Sequence, residues 1–311
     1  MPAMTAPAAL PAADDAEQPM WPGLLLAGAG SIAFSGKAII VKLAYRYGVD
    51  AVTLIMYRML FALPLFALLA WWAGRGKPAL TRRDWIAIGG LGFSGYYLAS
   101  FLDFAGLAYI SAGLERLILY LNPTIVLLLS MLLFGRRAGA RQWLAMAVSY
   151  AGVVLAFGHE VSLAGADAAF GSLLVFASAV SYAIYLVGSG EEVRRLGALR
   201  LTGLATSVAC LLCIAQFLLL RPLAAAAVAP EVIWLSVLNA VACTFAPVLM
   251  VMLAIERIGA SATAQVGMIG PLSTIAMGVL ILGEPFTAWL ALGTAFVLAG
   301  IWLLARSPRA A

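Results

Sequence analysis

The sequence predicts an all-α membrane protein of ten transmembrane helices, arranged as two inverted five-helix repeats with both termini cytoplasmic. Three observations predict it. The 311 residues are 64% hydrophobic and only 11% charged, whereas a soluble domain carries about 45–50% apolar and roughly 25% charged residues. Apolar runs of membrane-spanning length alternate with short breaks, and the second half of the chain echoes the first at a fixed offset of 148 residues. With a mean hydropathy of +1.02, no soluble core can hide that much apolar surface, because a globule must still cover itself with polar groups. A soluble enzyme, a nucleic-acid binder and a disordered scaffold are therefore poor fits. Cys210, Cys213 and Cys243 lie in apolar stretches, where cysteine behaves as a small hydrophobe. The Cys210-x-x-Cys213 pair has no neighbour that would depress a thiol pKa.

Residues 1–20 are Pro/Ala-rich with Asp14, Asp15 and Glu17 and read as a disordered tail. No basic segment precedes Trp21 and no cleavage site follows the first apolar run, which argues against a cleaved signal peptide. A span needs about 20 mostly apolar residues. Spans are expected at 21–42, 51–73, 85–108, 111–133, 138–158, 169–189, 199–220, 231–254, 260–282 and 286–305. The breaks carry turn signals at Gly74 to Pro78, Gly135-Arg136-Arg137, Arg221-Pro222 and Gly283-Glu284-Pro285. Two five-helix units follow, 21–158 and 169–305, with a cytoplasmic tail at 306–311.

Orientation comes from Lys and Arg in the breaks. With the amino terminus inside, the inner breaks hold 13 basic residues (Arg75, Lys77, Arg82 and Arg83 among them) and the outer breaks hold 3, Lys42, Arg46 and Arg221. The net charge of +5 is thus a topology signal before it is an affinity for nucleic acid.

The repeat is readable without gaps. The offset sets Asn122-Pro123 on Gly270-Pro271, Gly135 on Gly283, and Gly152 on Gly300. The Pro and Gly matches weigh more than the Ala and Leu ones, since these residues serve particular backbone roles in transmembrane helices. Five is odd, so the second copy must be inverted, the architecture of many secondary transporters with the substrate site at the repeat interface.

On these residues the chain resembles the EamA-type members of the drug/metabolite transporter superfamily. The resemblance is carried by Ser35-Gly36-Lys37-Ala38-Ile39-Ile40-Val41-Lys42, Tyr57-Arg58, the run Ala105 to Ala112, Asn122-Pro123, Gly270-Pro271 and Gly283-Glu284-Pro285. In the first repeat Arg136 replaces the Glu of that last turn. The resemblance implies a metabolite permease of the inner membrane, often an exporter.

Five charges lie at least four residues inside expected spans: Lys37, Arg58, Asp103, Glu115 and Arg116. At 1.5 Å per residue all five lie roughly 6–11 Å below the outer boundary, in one layer on spans one to four. A charge near the bilayer centre costs roughly 2.5–3.5 kcal/mol on insertion scales. Snorkelling or a pinning salt bridge accounts for Lys37 and Arg116 about as well as function does. Asp103 and Glu115 reach less far and Arg58 is deeper. The layer sums to +1, which favours an anionic or zwitterionic solute: Arg58 and Lys37 are expected to hold a carboxylate-like group while Asp103 or Glu115 pairs with them or accepts a proton. Ser111, Glu115, Ile118 and Asn122 form one stripe of span four; Pro123 either kinks the helix or presents the Leu119 carbonyl to a cavity. Tyr96, Ser100 and Asp103 form a similar stripe.

In the second repeat Thr263 and Ala264 replace Glu115 and Arg116, leaving a mild polar set: Ser178, Ser181, Tyr182, Tyr185, Asn239, Thr244, Gln265, Ser273 and Thr274. These side chains suit ligand contact and helix–helix bonds equally. His159 stands alone, no nucleotide motif is present, and Glu191-Glu192 with Arg194-Arg195 and Glu256-Arg257 read as solvated loop charges. No metal, cofactor or catalytic residue is expected. The expected function is alternating-access transport of a small polar metabolite across a lipid bilayer, with proton coupling through an acid of the layer. A sugar-nucleotide or phosphate-ester exchanger and an intramembrane enzyme are the alternatives.

Overall fold

The computed structural model describes residues 20–134, 139–267 and 269–305, and every regular element among them is helical. The tails expected at 1–20 and 306–311 fall outside the described residues except for Met20, which begins the first helix. In chain order the helices are α1 (Met20–Tyr45), α2 (Ala51–Gly74), α3 (Arg82–Leu91), α4 (Ala99–Leu107), α5 (Ala112–Leu119), α6 (Asn122–Phe134) and α7 (Ala140–Ala164). There follow α8 (Ala166–Leu196), α9 (Ala198–Leu220), α10 (Pro230–Ala240), α11 (Ala246–Gly267), α12 (Ile269–Met277) and α13 (Ala288–Ala305). A π-helical segment, Gly92–Leu98, joins α3 to α4; a second, Val241–Phe245, joins α10 to α11; a third, Gly278–Leu282, ends α12.

Among the described residues eight helical runs are long and apolar enough to cross a membrane, and Leu272–Leu282 and Ala288–Leu303 are shorter apolar helices. Local sequence sets several ends. Asp50 caps α2 by accepting from the amides of Val52 and Thr53, and Thr81 with Asp84 forms a capping box on α3. Gly165, at a φ of +63°, turns α7 into α8 through one residue; only glycine adopts that conformation without a Cβ penalty.

Three expected breaks differ. Residues 255–259 are helical within α11, because Ile-Glu-Arg-Ile-Gly holds no Pro and a lone Gly costs a helix only about 1 kcal/mol. The expected break after span five contracts to Gly165, so His159 is helical. The charged run 191–195 lies in α8: Glu192 is buried and pairs with Arg195 within the helix, and Arg195 also pairs with Asp84 of α3, so Arg195 fastens α8 to α3 rather than decorating a loop.

Packing follows the internal offset. The closest helix pairs include α2 with α9 and α7 with α13, each a helix against its own repeat equivalent, and the exchanged pairs α1 with α11 and α4 with α8. Small residues let the backbones approach, as membrane helices require in the absence of a hydrophobic drive. A Cβ on Gly152 would meet the Gly293 carbonyl and Phe296, and one on Gly300 would meet Ser149 and the Ala145 carbonyl. One buried core gathers α1, α2, α4, α9 and α10; another gathers α5 to α8 with α12 and α13. Trp71, Trp72, Trp85 and Trp143 are exposed near helix ends, where an interfacial aromatic belt belongs.

Candidate functional site

The charged layer assembles into one connected cluster and one separate cation. Lys37 on α1 pairs with Asp103 on α4, and its Nζ lies 3.5 Å from Glu115 Oε1 on α5. Arg116 Nε is 3.9 Å from the other Glu115 oxygen. Arg116 also donates to Thr274 Oγ1 on α12 at 3.0 Å and to the Phe34 carbonyl on α1 at 3.3 Å. Lys37 and Arg116 therefore turn inward to partners rather than snorkelling. The four residues tie three helices of the first repeat to the second repeat.

Arg58 on α2 stands apart. Its Nε donates to Thr244 Oγ1 at 3.0 Å, Thr244 in turn donates to the Asn239 carbonyl at 2.8 Å, and the guanidinium sits 5.1 Å from the centre of the Phe104 ring. Thr244 belongs to the second π-helical segment. Among the described residues Arg58 has no carboxylate at ion-pair distance, and its Nη1 has no acceptor although the residue is only 6% exposed.

The cluster is also short of hydrogen bonds. Glu115 is 0% exposed and neither of its carboxylate oxygens has a hydrogen-bond donor; Asp103, 2% exposed, leaves Oδ1 without one. A buried polar group left without a partner costs about 1–3 kcal/mol, and more when charged. Summed as ions, Lys37, Asp103, Glu115 and Arg116 cancel, so the layer's single excess positive charge resides on Arg58.

The neutral residues sit elsewhere. Tyr185 on α8 meets Tyr96 edge-on, with ring centres 5.1 Å apart and hydroxyls 3.4 Å apart, and Tyr182 stacks beside Tyr185. Ser181 donates to the Ser94 carbonyl and Ser178 to the Ala99 carbonyl, each at 2.7 Å. Ser94 lies in the first π-helical segment, where its carbonyl accepts the Ala99 amide five residues on and the Ser181 hydroxyl of α8 as a second donor. Ser178 and Ser181 are thus helix–helix bonds here.

Span four is interrupted at Tyr120 and Leu121, between α5 and α6, so Glu115 and Asn122 do not share an unbroken helical stripe. The Leu119 carbonyl that Pro123 deprives of an amide accepts from Asn122 Nδ2 at 2.9 Å, so it is not offered to a cavity. The side chain of Gln265 lies outside the described residues. His159 stands beside Trp289 with ring centres 6.2 Å apart. Phe104 as the platform for Arg58, and the links from Arg58 to Thr244 and from Arg116 to Thr274, are not legible from spacing: each joins residues more than 40 positions apart, and no periodicity encodes such a contact.

Comparison with known proteins agrees with this architecture. The EamA-like transporter family matches residues 21–158 and again residues 169–306. The Bacillus subtilis (strain 168) protein named Uncharacterized transporter YcbK is 31% identical over 270 residues, 82% of this chain and 83% of its own. A solved crystal structure aligns with a TM-score of 0.59 at 19% identity, covering 90% of this chain and 95% of its own, which shows a shared fold. Two family repeats, a relative aligned over most of both chains and eight helices of spanning length make the protein a multi-pass membrane protein, and the chain belongs to the EamA-like transporter family.

Proposed function

We propose that this transporter moves a small anionic or zwitterionic metabolite by alternating access across ten spans with both termini cytoplasmic, in the export direction that the family resemblance implies. Arg58 anchors the solute's negative group. The observation that carries this reading is the unpaired guanidinium: a buried cation with no carboxylate partner and a free Nη1, beside a cluster that is already neutral. Lys37, Asp103, Glu115 and Arg116 form the polar wall next to it, and the donor-free oxygens of Asp103 and Glu115 are the places for a coupled proton.

The test has two stages. Metabolites are compared in cells with and without the protein to identify the solute, which is then followed into proteoliposomes. Arg58→Gln protein, shown to be folded, is expected to lose transport at least about tenfold, the scale of one lost charge-assisted hydrogen bond; normal transport by that variant would remove Arg58 from the site. Asp103→Asn and Glu115→Gln are read in a pH gradient, and an unchanged pH dependence in either excludes that acid from coupling.

A further inference from the structure

The Gly283-Glu284-Pro285 turn has no role in the site above, and its acid has Arg136 as its counterpart in the first repeat. Glu284 Oε1 accepts from the amide of Ala112, the first residue of α5, at 3.0 Å, and lies 3.8 Å from Lys42 Nζ near the end of α1. Arg46, one turn beyond Lys42, donates to the Leu282 carbonyl at 2.8 Å, just before the same turn. One carboxylate from the second repeat thereby ties together two helices of the first.

These contacts lie directly above the charged cluster. Ala112 is one turn from Glu115 on α5, and Lys42 is five residues from Lys37 on α1, so the Glu284 carboxylate sits roughly 4–8 Å further out along both helices. A cavity of about 350 Å³ opens at this level, lined by Lys42, Tyr45, Arg46, Leu107, Ala108 and Glu284 among others. The helices that hold Lys37, Asp103 and Glu115 are the ones that, one or two turns further out, line the cavity or hold the Glu284 carboxylate. Val41, on α1 between Lys37 and Lys42, is 0% exposed, as are Leu107 of the cavity lining and Ala112 at the Glu284 contact, and Tyr45 donates to the Phe104 carbonyl beside Asp103.

We propose that Glu284 is the latch of this mouth. Seated on the α5 amide and Lys42, it holds α1, α5 and the second repeat together and shuts the passage from the cavity to the charged cluster; its release parts them. The inference rests on the reading of that cluster as the transport site, and deepens it by naming the residue that controls access from this side.

The test needs no identified solute. Val41→Cys places a thiol one turn from Lys37, on the same face of α1 and beneath the cavity, and Ala27→Cys places a control near the other end of α1, where Ala27 is 1% exposed. The full chain in lipid nanodiscs is treated with an anionic methanethiosulfonate reagent, and adducts are counted by mass against the parent protein, whose Cys210, Cys213 and Cys243 are buried. Adding Glu284→Gln is expected to speed labelling at position 41 by at least about tenfold, as a local opening does, and to leave position 27 unchanged. Equal rates at position 41 with and without Glu284→Gln overturn the latch, and so does a matching acceleration at position 27, which would mark general loosening. Where Glu284→Gln is not recovered folded, Lys42→Met decides on the same criteria, since it removes the ion pair and keeps the α5 cap. Failure of the Arg58 transport test would leave these labelling rates standing, and failure here would leave Arg58 untouched.

Discussion

The two repeats place different chemistry on equivalent positions of one scaffold. At the offset of 148 residues, Lys37 corresponds to Tyr185, Arg58 to Thr206, Asp103 to Val251, Glu115 to Thr263 and Thr244 to Tyr96. The backbone device is shared: the first π-helical segment, Gly92–Leu98, maps onto 240–246, where the second, Val241–Phe245, lies. The side chains are not. In one set ion pairs and a guanidinium hold the helices; in the other, tyrosine rings and a Ser181 bond to Ser94 do so. The fold thus packs with Tyr, Thr and Val at positions where the other repeat carries charge. Charge is not a structural requirement of the scaffold at those positions, which supports the solute-binding role proposed above.

Removing Lys37 should break this contrast most visibly. Lys37→Met leaves Asp103 and Glu115 buried without their shared cation, and loss of one partner of a buried ion pair costs about 3–5 kcal/mol. The equivalent Tyr185→Phe gives up only a long neutral contact, with hydroxyls 3.4 Å apart, and should cost below about 1 kcal/mol. Denaturation in mild detergent compares the two, with Lys37→Met combined with Asp103→Asn recovering part of the loss. Equal costs for Lys37→Met and Tyr185→Phe would erase the distinction between the repeats.

The contact between α7 and α13 is the control in which the repeats behave alike. Gly152 and Gly300 are equivalents, and a side chain on either strikes backbone of the facing helix. Gly152→Val and Gly300→Val should each cost about 3 kcal/mol, the upper end for overpacking, whereas Gly158→Ala, with open space around it, should be neutral or stabilising by up to about 1 kcal/mol. Thermal unfolding of the three variants checks the order. A large difference between the two valine variants would show that the repeats are unequal in packing as well as in charge.

Much of this was legible in the sequence, and the illegible part has a physical pattern. The repeat follows from the offset alone, and helical rise alone puts Lys37, Asp103, Glu115 and Arg116 at matching heights on neighbouring helices, where they meet. The helical continuity of 255–259 was hidden because Glu256-Arg257 beside Gly259 looks like a loop, although nothing there forbids a helix. The capping of the Leu119 carbonyl by Asn122 was hidden because the sequence shows that Pro123 removes an amide, but not which nearby side chain replaces it. The π-helical segments carry no Pro and give no periodic signal, and Glu284 discloses its partners only when two repeats are brought together in space. Pattern along the chain reports depth and face; it does not report which face meets which.

Thr244→Val sharpens the contrast at the second π-helical segment. It removes the acceptor of Arg58 Nε and the donor to the Asn239 carbonyl while keeping the side chain's shape. A buried donor left without its acceptor costs about 2 kcal/mol, and hydrogen exchange should rise in 241–245 and not in 92–98. The equivalent Tyr96→Phe should cost about 1 kcal/mol or less. Exchange rising equally in both segments would mean that Arg58 does not hold the second one in particular.

The smallest effect concerns the starts of α2 and α9, which the offset also makes equivalents. α2 begins at Asp50, whose carboxylate caps the helix and meets Arg221 Nε at 3.1 Å, while α9 begins at Gly197 with no side-chain cap. Burial resists ionisation of Asp50, but the Thr53 hydroxyl and amide, with Arg221, outweigh it and hold the carboxyl below its ordinary range. A lowered native pKa means that the ionised cap stabilises the fold above the ordinary carboxylate pKa and that this contribution disappears as pH falls through the native value. Both partners are more than a third exposed, with side-chain exposures of 37% and 42%, so solvent screening leaves the ion pair itself worth little. Asp50→Ala should therefore cost about 1 kcal/mol at neutral pH, the usual loss of a helix cap. Asp50→Asn keeps a good cap and removes only the charge, so its small deficit at pH 7 should shrink to nothing as the pH is lowered through the acid range. A deficit for Asp50→Asn that stays constant with pH in thermal unfolding would show that the charge on Asp50 adds nothing, and that α2 and α9 differ at their starts only by a cap.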